Sequence, residues 1–223
     1  MKTPILLFAA GLGTRMGALV RDQPKPLIKV AGKALIDHAL AFTDIPEIGT
    51  KVVNVHYRAD MMRAHICGSN IAISDETDAL LETGGGLKKA LPLLDGDPVL
   101  TMNTDAIWNG PNPIKTVLDA WSAEMEALLL IVPKSRVLGH PGQGDFDIAD
   151  DGRLRRARGS IYTGVQMIRT AGLQNIEQEA FSMNILWDQI VGRGGLYGVE
   201  YEGQWCDVGQ PASIPLAESM LHV

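Results

Sequence analysis

Seven short apolar runs and six amphipathic stretches, five of them between runs and one after the last, constrain the fold of this 223-residue chain more than any single motif does. The runs lie at 5–10, 51–56, 71–74, 99–103, 127–132, 163–168 and 196–201 and are rich in Leu, Ile and Val. Helical spacing of apolar residues marks 35–43, 59–66, 86–94, 114–121, 182–191 and 212–221. A strand buried on both faces reads as a near-continuous apolar run, so the alternation predicts an α/β fold with helices on both sides of a mostly parallel sheet. The second half makes that sheet mixed. There, residues 145–149 and 153–157 flank Asp150-Asp151-Gly152, a hairpin signal that brings in antiparallel strands. Length and the lack of a linker predict a single domain over 1–223.

The first run ends in Ala9-Ala10-Gly11-Leu12-Gly13-Thr14-Arg15, and Pro24-Lys25-Pro26 follows after a short gap. In open α/β sheets ligands bind beyond the carboxyl ends of strands, where this turn falls. Glycines let backbone N–H groups approach a phosphate, and Arg15 and Lys25 supply cations that packing does not demand. The dinucleotide fingerprint fails here: its third glycine would fall on Met16, and the second strand ends in Asn54-Val55-His56 without a ribose-binding acid. A nucleoside triphosphate is the ligand these residues suggest, while a purely structural turn would need neither cation.

Glu82-Thr83-Gly84-Gly85-Gly86 precedes a helical segment. Three glycines at a helix entrance leave N–H groups open to a planar base, although a flexible loop would read the same way. Asn103-Thr104-Asp105 closes the fourth run, and Asp207 closes Trp205-Cys206-Asp207. Two carboxylates at strand ends suit magnesium, which takes one or two of them together with substrate phosphates. Each aspartate alone fits a cap or turn equally well.

Net charge is −6, which disfavours a nucleic-acid partner. Residues 1–33 nevertheless carry six basic side chains against one acid, a local cationic region suited to a small anion. No apolar run approaches the ~20 residues that span a bilayer, so no membrane partner is expected, and the cytoplasm is the expected compartment. Cys67 and Cys206 show no paired spacing and read as reduced thiols. His38, His56, His65, His140 and His222 show no ligand spacing and read as structural or surface residues. The arginines at 153, 155, 156 and 158 read as a solvated hairpin face. Nothing in the pattern fixes an oligomeric state.

In combination, Gly11-Leu12-Gly13-Thr14-Arg15, Pro24-Lys25-Pro26, Asn103-Thr104-Asp105 and Asp207-Val208-Gly209 resemble the sugar-1-phosphate nucleotidyltransferase family. Glu82 to Gly86, Gly144-Asp145-Phe146 and Trp205 to Gly209 are most similar to its short N-acetylmuramate 1-phosphate uridylyltransferases, which act in cell-wall recycling and lack a carboxy-terminal β-helix. The resemblance implies the Rossmann-like three-layer α/β/α sandwich of nucleotide-diphospho-sugar transferases. Its nucleotide part would be 1–110 and its sugar part 111–223. It implies that a nucleoside triphosphate, UTP, and a sugar 1-phosphate are the substrates. Arg15 would hold the β- and γ-phosphates, and Lys25 the α-phosphate. Ala9, Ala10, Gly11, Gly13, Thr14, Glu82, Gly84, Gly85 and Asn103 would bind the nucleotide. Gly144, Asp145 and Gly164 would line the sugar side, and Asp105 and Asp207 would hold Mg2+. Other bases and sugars, as in mannose-1-phosphate guanylyltransferases, use the same scaffold, and a catalytically silent nucleotide sensor is the reading from another class. Where family members carry a basic residue and a proline after the signature arginine, this chain has Met16-Gly17-Ala18.

Overall fold

The computed structural model describes residues 2–222. In chain order its elements are β1 (Thr3–Phe8), β2 (Lys29–Val30), β3 (Lys33–Ala34), α1 (Leu35–Ala41), β4 (Ile48–Val55), α2 (Ala59–His65), β5 (Ile71–Asp75) and α3 (Glu82–Ala90). These are followed by β6 (Val99–Asn103), β7 (Ala106–Asn109), α4 (Pro113–Ala120), β8 (Ala127–Val132), β9 (Val137–Leu138), β10 (Phe146–Ile148), β11 (Leu154–Arg156) and β12 (Ile161–Ile168). The chain closes with α5 (Asn184–Arg193), β13 (Leu196–Glu200), β14 (Gln204–Asp207) and α6 (Ser213–Met220).

Each of the seven apolar runs is a strand of one seven-stranded sheet, ordered β13-β8-β12-β6-β1-β4-β5. Neighbours pair in parallel except β12, which runs against both β6 and β8. The sheet is therefore mixed and mostly parallel, as the alternation predicts. Period-2 alternation sends Leu128, Leu130 and Val132 of β8 into one core with α1, α2 and α4, and Ala127, Leu129 and Ile131 into the other with α3 and α5. The result is three layers. The hairpin expected around Asp150 to Gly152 is β10–β11, with Asp147 opposite Arg155, but it forms a two-stranded sheet of its own; the main sheet is mixed through β12 and not through the hairpin.

A smaller sheet, β7-β14-β9, stands apart from the main one. With α6 it encloses a third apolar cluster that includes Met16, Ile28, Leu35, Ile107, Val208, Ala217 and Met220. Met16 is fully buried there, so this side chain anchors the glycine-rich turn. Gly17 follows at φ 57°, a left-handed backbone that glycine adopts without strain. Burial pushes the Cys206 thiol up to about 12, consistent with an unreactive reduced thiol. Among the described residues no helix is long and apolar enough to cross a membrane.

Candidate active site

Because β4, β1 and β6 run in parallel, their carboxyl ends share one edge of the sheet. Phe8 sits opposite Asn54 on one side and Asn103 on the other. The chain leaves β1 through Ala9 and Ala10, whose amides both donate to Asn54 Oδ1 at 2.7 and 3.3 Å. The Asn54 amide in turn donates to Glu76 Oε1 at 2.8 Å. Glu76 is completely buried and its second oxygen has no partner among the described residues. Burial raises the affinity of this carboxyl for its proton, and the Asn54 amide opposes that shift. Gly86 makes the arrangement possible, since a Cβ there would stand 2.8 Å from Glu76 Oε1 and 3.0 Å from Asn54 Nδ2.

A cavity of about 250 Å³ opens on this edge. Ala9, Ala10, Gly11, Lys25, Glu82, Asn103 and Asp105 line it, all sequence-selected residues. So do Asn54, Glu76, Leu80, Thr83 and Thr104, which sequence reading did not select. Thr104 is fixed by donating its hydroxyl to the Phe8 carbonyl at 2.7 Å.

Lys25 lies in a short 3-10 turn and is 7% exposed. Its Nζ donates to Asp105 Oδ2 at 2.7 Å, so the cation and the carboxylate reach the cavity already paired. Gly13, at φ 62°, lets the glycine-rich turn close on this lysine: a Cβ there would meet Lys25 Cβ at 2.8 Å. Thr14 and Arg15 begin the following 3-10 helix and are exposed. Arg15 has no carboxylate within ion-pair distance among the described residues, and a Cβ on Gly209 would lie 3.1 Å from both its Nη2 and Asp207 Oδ2.

Asp207 is 8% exposed and pairs with Ala106 in the small sheet, while the Val208 amide donates to the Asp105 carbonyl at 2.9 Å. The two aspartates thus occupy neighbouring positions on adjacent chain segments. His140 Nδ1 approaches Asp207 Oδ2 at 3.1 Å, a contact 67 positions apart that spacing rules do not reveal. Among the described residues no group of three His, Cys, Asp or Glu side chains could hold a metal. Two hard carboxylates with room for phosphate oxygens fit magnesium, which keeps waters and substrate oxygens as its other ligands.

One expectation needs correction. Gly84, Gly85 and Gly86 lie inside α3 and are buried, not on an open loop, and the amides of Gly84 and Gly85 both donate to the Phe181 carbonyl at 2.9 and 3.1 Å. Gly84 and Gly85 are glycine because Phe181 and Glu179 press on the helix where a Cβ would stand, and Gly86 because Glu76 and Asn54 do. The Ala9 and Ala10 amides are likewise engaged by Asn54, leaving Glu82 and Thr83 at the cavity wall in place of the glycines.

On the other flank, Gly164 of β12 takes φ 89° beside Asn103, where a Cβ would meet the asparagine side chain at 2.7 Å. The Asp145 carboxylate accepts from the Tyr162 amide at 2.9 Å, tying the segment after Gly144 to the start of β12. Gly144, Asp145 and Gly164 adjoin the cavity side of β12 without lining the cavity itself.

Residues 5–198 match the MobA-like NTP transferase domain family. The chain belongs to that family. It is 39% identical to an N-acetylmuramate alpha-1-phosphate uridylyltransferase of Caulobacter vibrioides, over 97% of this chain and 96% of that protein. A second enzyme so named, from Neisseria meningitidis serogroup B, is 31% identical over 96% of each chain. The fold is that of the inositol-1-phosphate CTP transferase from T. maritima, with a TM-score of 0.81 at 15% identity over 99% of this chain and 95% of that one. The protein is therefore an enzyme of the nucleotidyltransferase class, built on the fold of nucleotide-diphospho-sugar transferases.

Proposed function

We propose that the protein transfers a uridylyl group from UTP to N-acetylmuramic acid 1-phosphate in the presence of magnesium, as a cytoplasmic step of cell-wall recycling. The observation that carries the chemistry is the Lys25–Asp105 pair at the cavity wall, with Asp207 beside it on the adjacent segment. Similarity over nearly the full length to two uridylyltransferases supports the choice of base and sugar.

In this reading the nucleoside lies over Asn54, Glu76, Glu82 and Thr83, and the triphosphate runs along Gly11, Gly13 and Thr14. Arg15, free of carboxylate partners, receives the β- and γ-phosphates. Lys25 turns from Asp105 to the α-phosphate and offsets the charge that builds there. A phosphate oxygen of the acceptor attacks the α-phosphorus, a new P–O bond forms, and the bond to the β-phosphate breaks with its electrons leaving on pyrophosphate. Asp105 and Asp207 would hold Mg2+, which supplies charge neutralisation on the phosphates when bound. The side chains bind, orient and neutralise, which accounts for most of the rate in such transfers and explains the absence of a covalent nucleophile from the scheme.

The test is pyrophosphate release by the purified protein with magnesium, crossing UTP, GTP, CTP, ATP and dTTP with the 1-phosphates of N-acetylmuramic acid, N-acetylglucosamine, glucose and mannose. Release confined to UTP and N-acetylmuramic acid 1-phosphate is expected. Release with another pair overturns the assignment of base or sugar, and nucleotide binding without release overturns catalysis.

A further inference from the structure

Two cations at the far end of the same sheet edge have no carboxylate partner among the described residues. Lys134 follows the end of β8 and Arg158 follows β11; both are exposed, and Lys134 Nζ donates to the Arg158 carbonyl. Their neighbours differ. Arg153 pairs with Asp151, Arg156 with Asp188 and Arg136 with Glu200, while Arg155, which also lacks an ion pair among the described residues, sits within the hairpin strand β11. The nearby acids are accounted for as well: Asp145 accepts from the Tyr162 amide, and Asp147 Oδ1 lies against Gly159.

Position gives the pair its meaning. β8 lies two strands from β6, with β12 between them, so Lys134 leaves the sheet on the cavity's edge about 10 Å beyond β6. Gly144 takes φ 103°, and a Cβ there would stand 2.7 Å from the Arg158 backbone, which packs the 144–145 turn beside the two cations. A nucleoside over Asn54 and Glu76 puts its α-phosphate at Lys25, leaving the acceptor to extend across β12 toward β8. Its own phosphate must stay near Lys25 to react. Cations without a carboxylate partner at the other end of the acceptor then match a second negative group.

We propose that Arg158 and Lys134 bind the carboxylate of an acidic sugar 1-phosphate and thereby select it over neutral sugar phosphates. This deepens the transferase reading and rests on it. The guanidinium fork matches a carboxylate with two parallel hydrogen bonds, and Lys134 adds a point charge. Exposure screens both, so they set selectivity and leave the chemical step to the residues at the cavity.

The probes are N-acetylmuramic acid 1-phosphate and N-acetylglucosamine 1-phosphate, which differ by the carboxylate-bearing lactyl ether. Initial rates with the nucleotide the enzyme consumes are compared for the wild type, Arg158→Ala, Lys134→Ala and Arg158→Lys. For Arg158→Ala the ratio of kcat/KM values, acidic over neutral, should fall by about 2- to 5-fold through a higher KM for the acidic acceptor, the size of one exposed ion pair. Lys134→Ala should lower the ratio less, Arg158→Lys should restore part of it, and added salt should erode it in the wild type. A wild type that prefers the neutral acceptor, or an Arg158→Ala variant with an unchanged ratio, would overturn the proposal. A nucleotide other than UTP would refute the uridylyl reading and leave this one standing. No turnover with any pair would overturn both.

Discussion

Asn54 should be the most sensitive polar position in the nucleotide half of the molecule. Its side chain is 2% exposed and makes three hydrogen bonds, two short and one long. Replacement by alanine orphans the Ala9 amide and removes the hydrogen-bond donor to Glu76. At about 1–2 kcal/mol for each short bond and about 0.5 for the long one, the expected loss is about 2.5–4.5 kcal/mol. That is a large part of the 5–15 kcal/mol typical of a folded domain, yet it leaves the protein folded. Urea unfolding followed by tryptophan fluorescence measures it, since Trp108, Trp187 and Trp205 are buried. Asn54→Asp sharpens the test. It keeps the oxygen that the two amides need but places a second carboxyl against Glu76, so one of the pair must hold a proton in the folded state. A carboxyl whose folded pKa lies above its unfolded value has its stability below the ordinary carboxylate range and loses it as pH rises. Asn54→Asp should therefore approach wild-type stability near pH 4.5 and fall below Asn54→Ala near pH 7. A loss under about 1 kcal/mol in Asn54→Ala, or an Asn54→Asp variant indifferent to pH, would refute the reasoning.

Further outcomes follow from the same geometry. Because burial raises the pKa of Glu76, the wild type gives up stability as pH climbs from the ordinary glutamate range, and Glu76→Gln should show less of that decline when urea midpoints are compared between pH 4.5 and 7. Gly85→Ala should gain about 1 kcal/mol on helix propensity alone, but its Cβ meets the Glu179 carbonyl; a lower melting temperature is expected, and a higher one would mean that residues 176–183 yield easily. Lys25→Ala should lower kcat by about 100-fold or more with little change in nucleotide affinity by calorimetry, whereas an effect on affinity alone would remove the α-phosphate role. Asp207→Asn should abolish turnover with the melting temperature nearly unchanged, and full activity would dismiss it as a metal ligand.

The inner strands were legible because strands buried on both faces must be apolar along their whole length, and all seven runs, the half-exposed edge strands β5 and β13 included, fall in the main sheet within a few residues of their ends. The turn after β1 was legible because Gly13 and Lys25 are constrained locally and meet each other. What failed was set at long range. Three glycines at 84–86 look like an open loop until Phe181 and Glu179, nearly 100 positions away, are seen against the helix. Asn54 registered only as the lack of a ribose-binding acid, though its partners lie 45 and 22 positions distant. Glu76 follows β5 as an ordinary polar residue, and nothing local announces that it is sealed from water. The small β7-β14-β9 sheet joins segments too short to show a period.

The packing of Met16 bears on how the protein is made. Its buried neighbours include Val208, Ala217 and Met220, all from the last stretch of the chain. A ribosome adding 5–20 residues each second needs about 10–40 s to pass from residue 16 to residue 220. Throughout that interval the main sheet can assemble around a glycine-rich turn whose anchor has no complete socket. A growing chain should therefore bind nucleotide poorly until α6 has emerged from the ribosome and closed the socket around Met16.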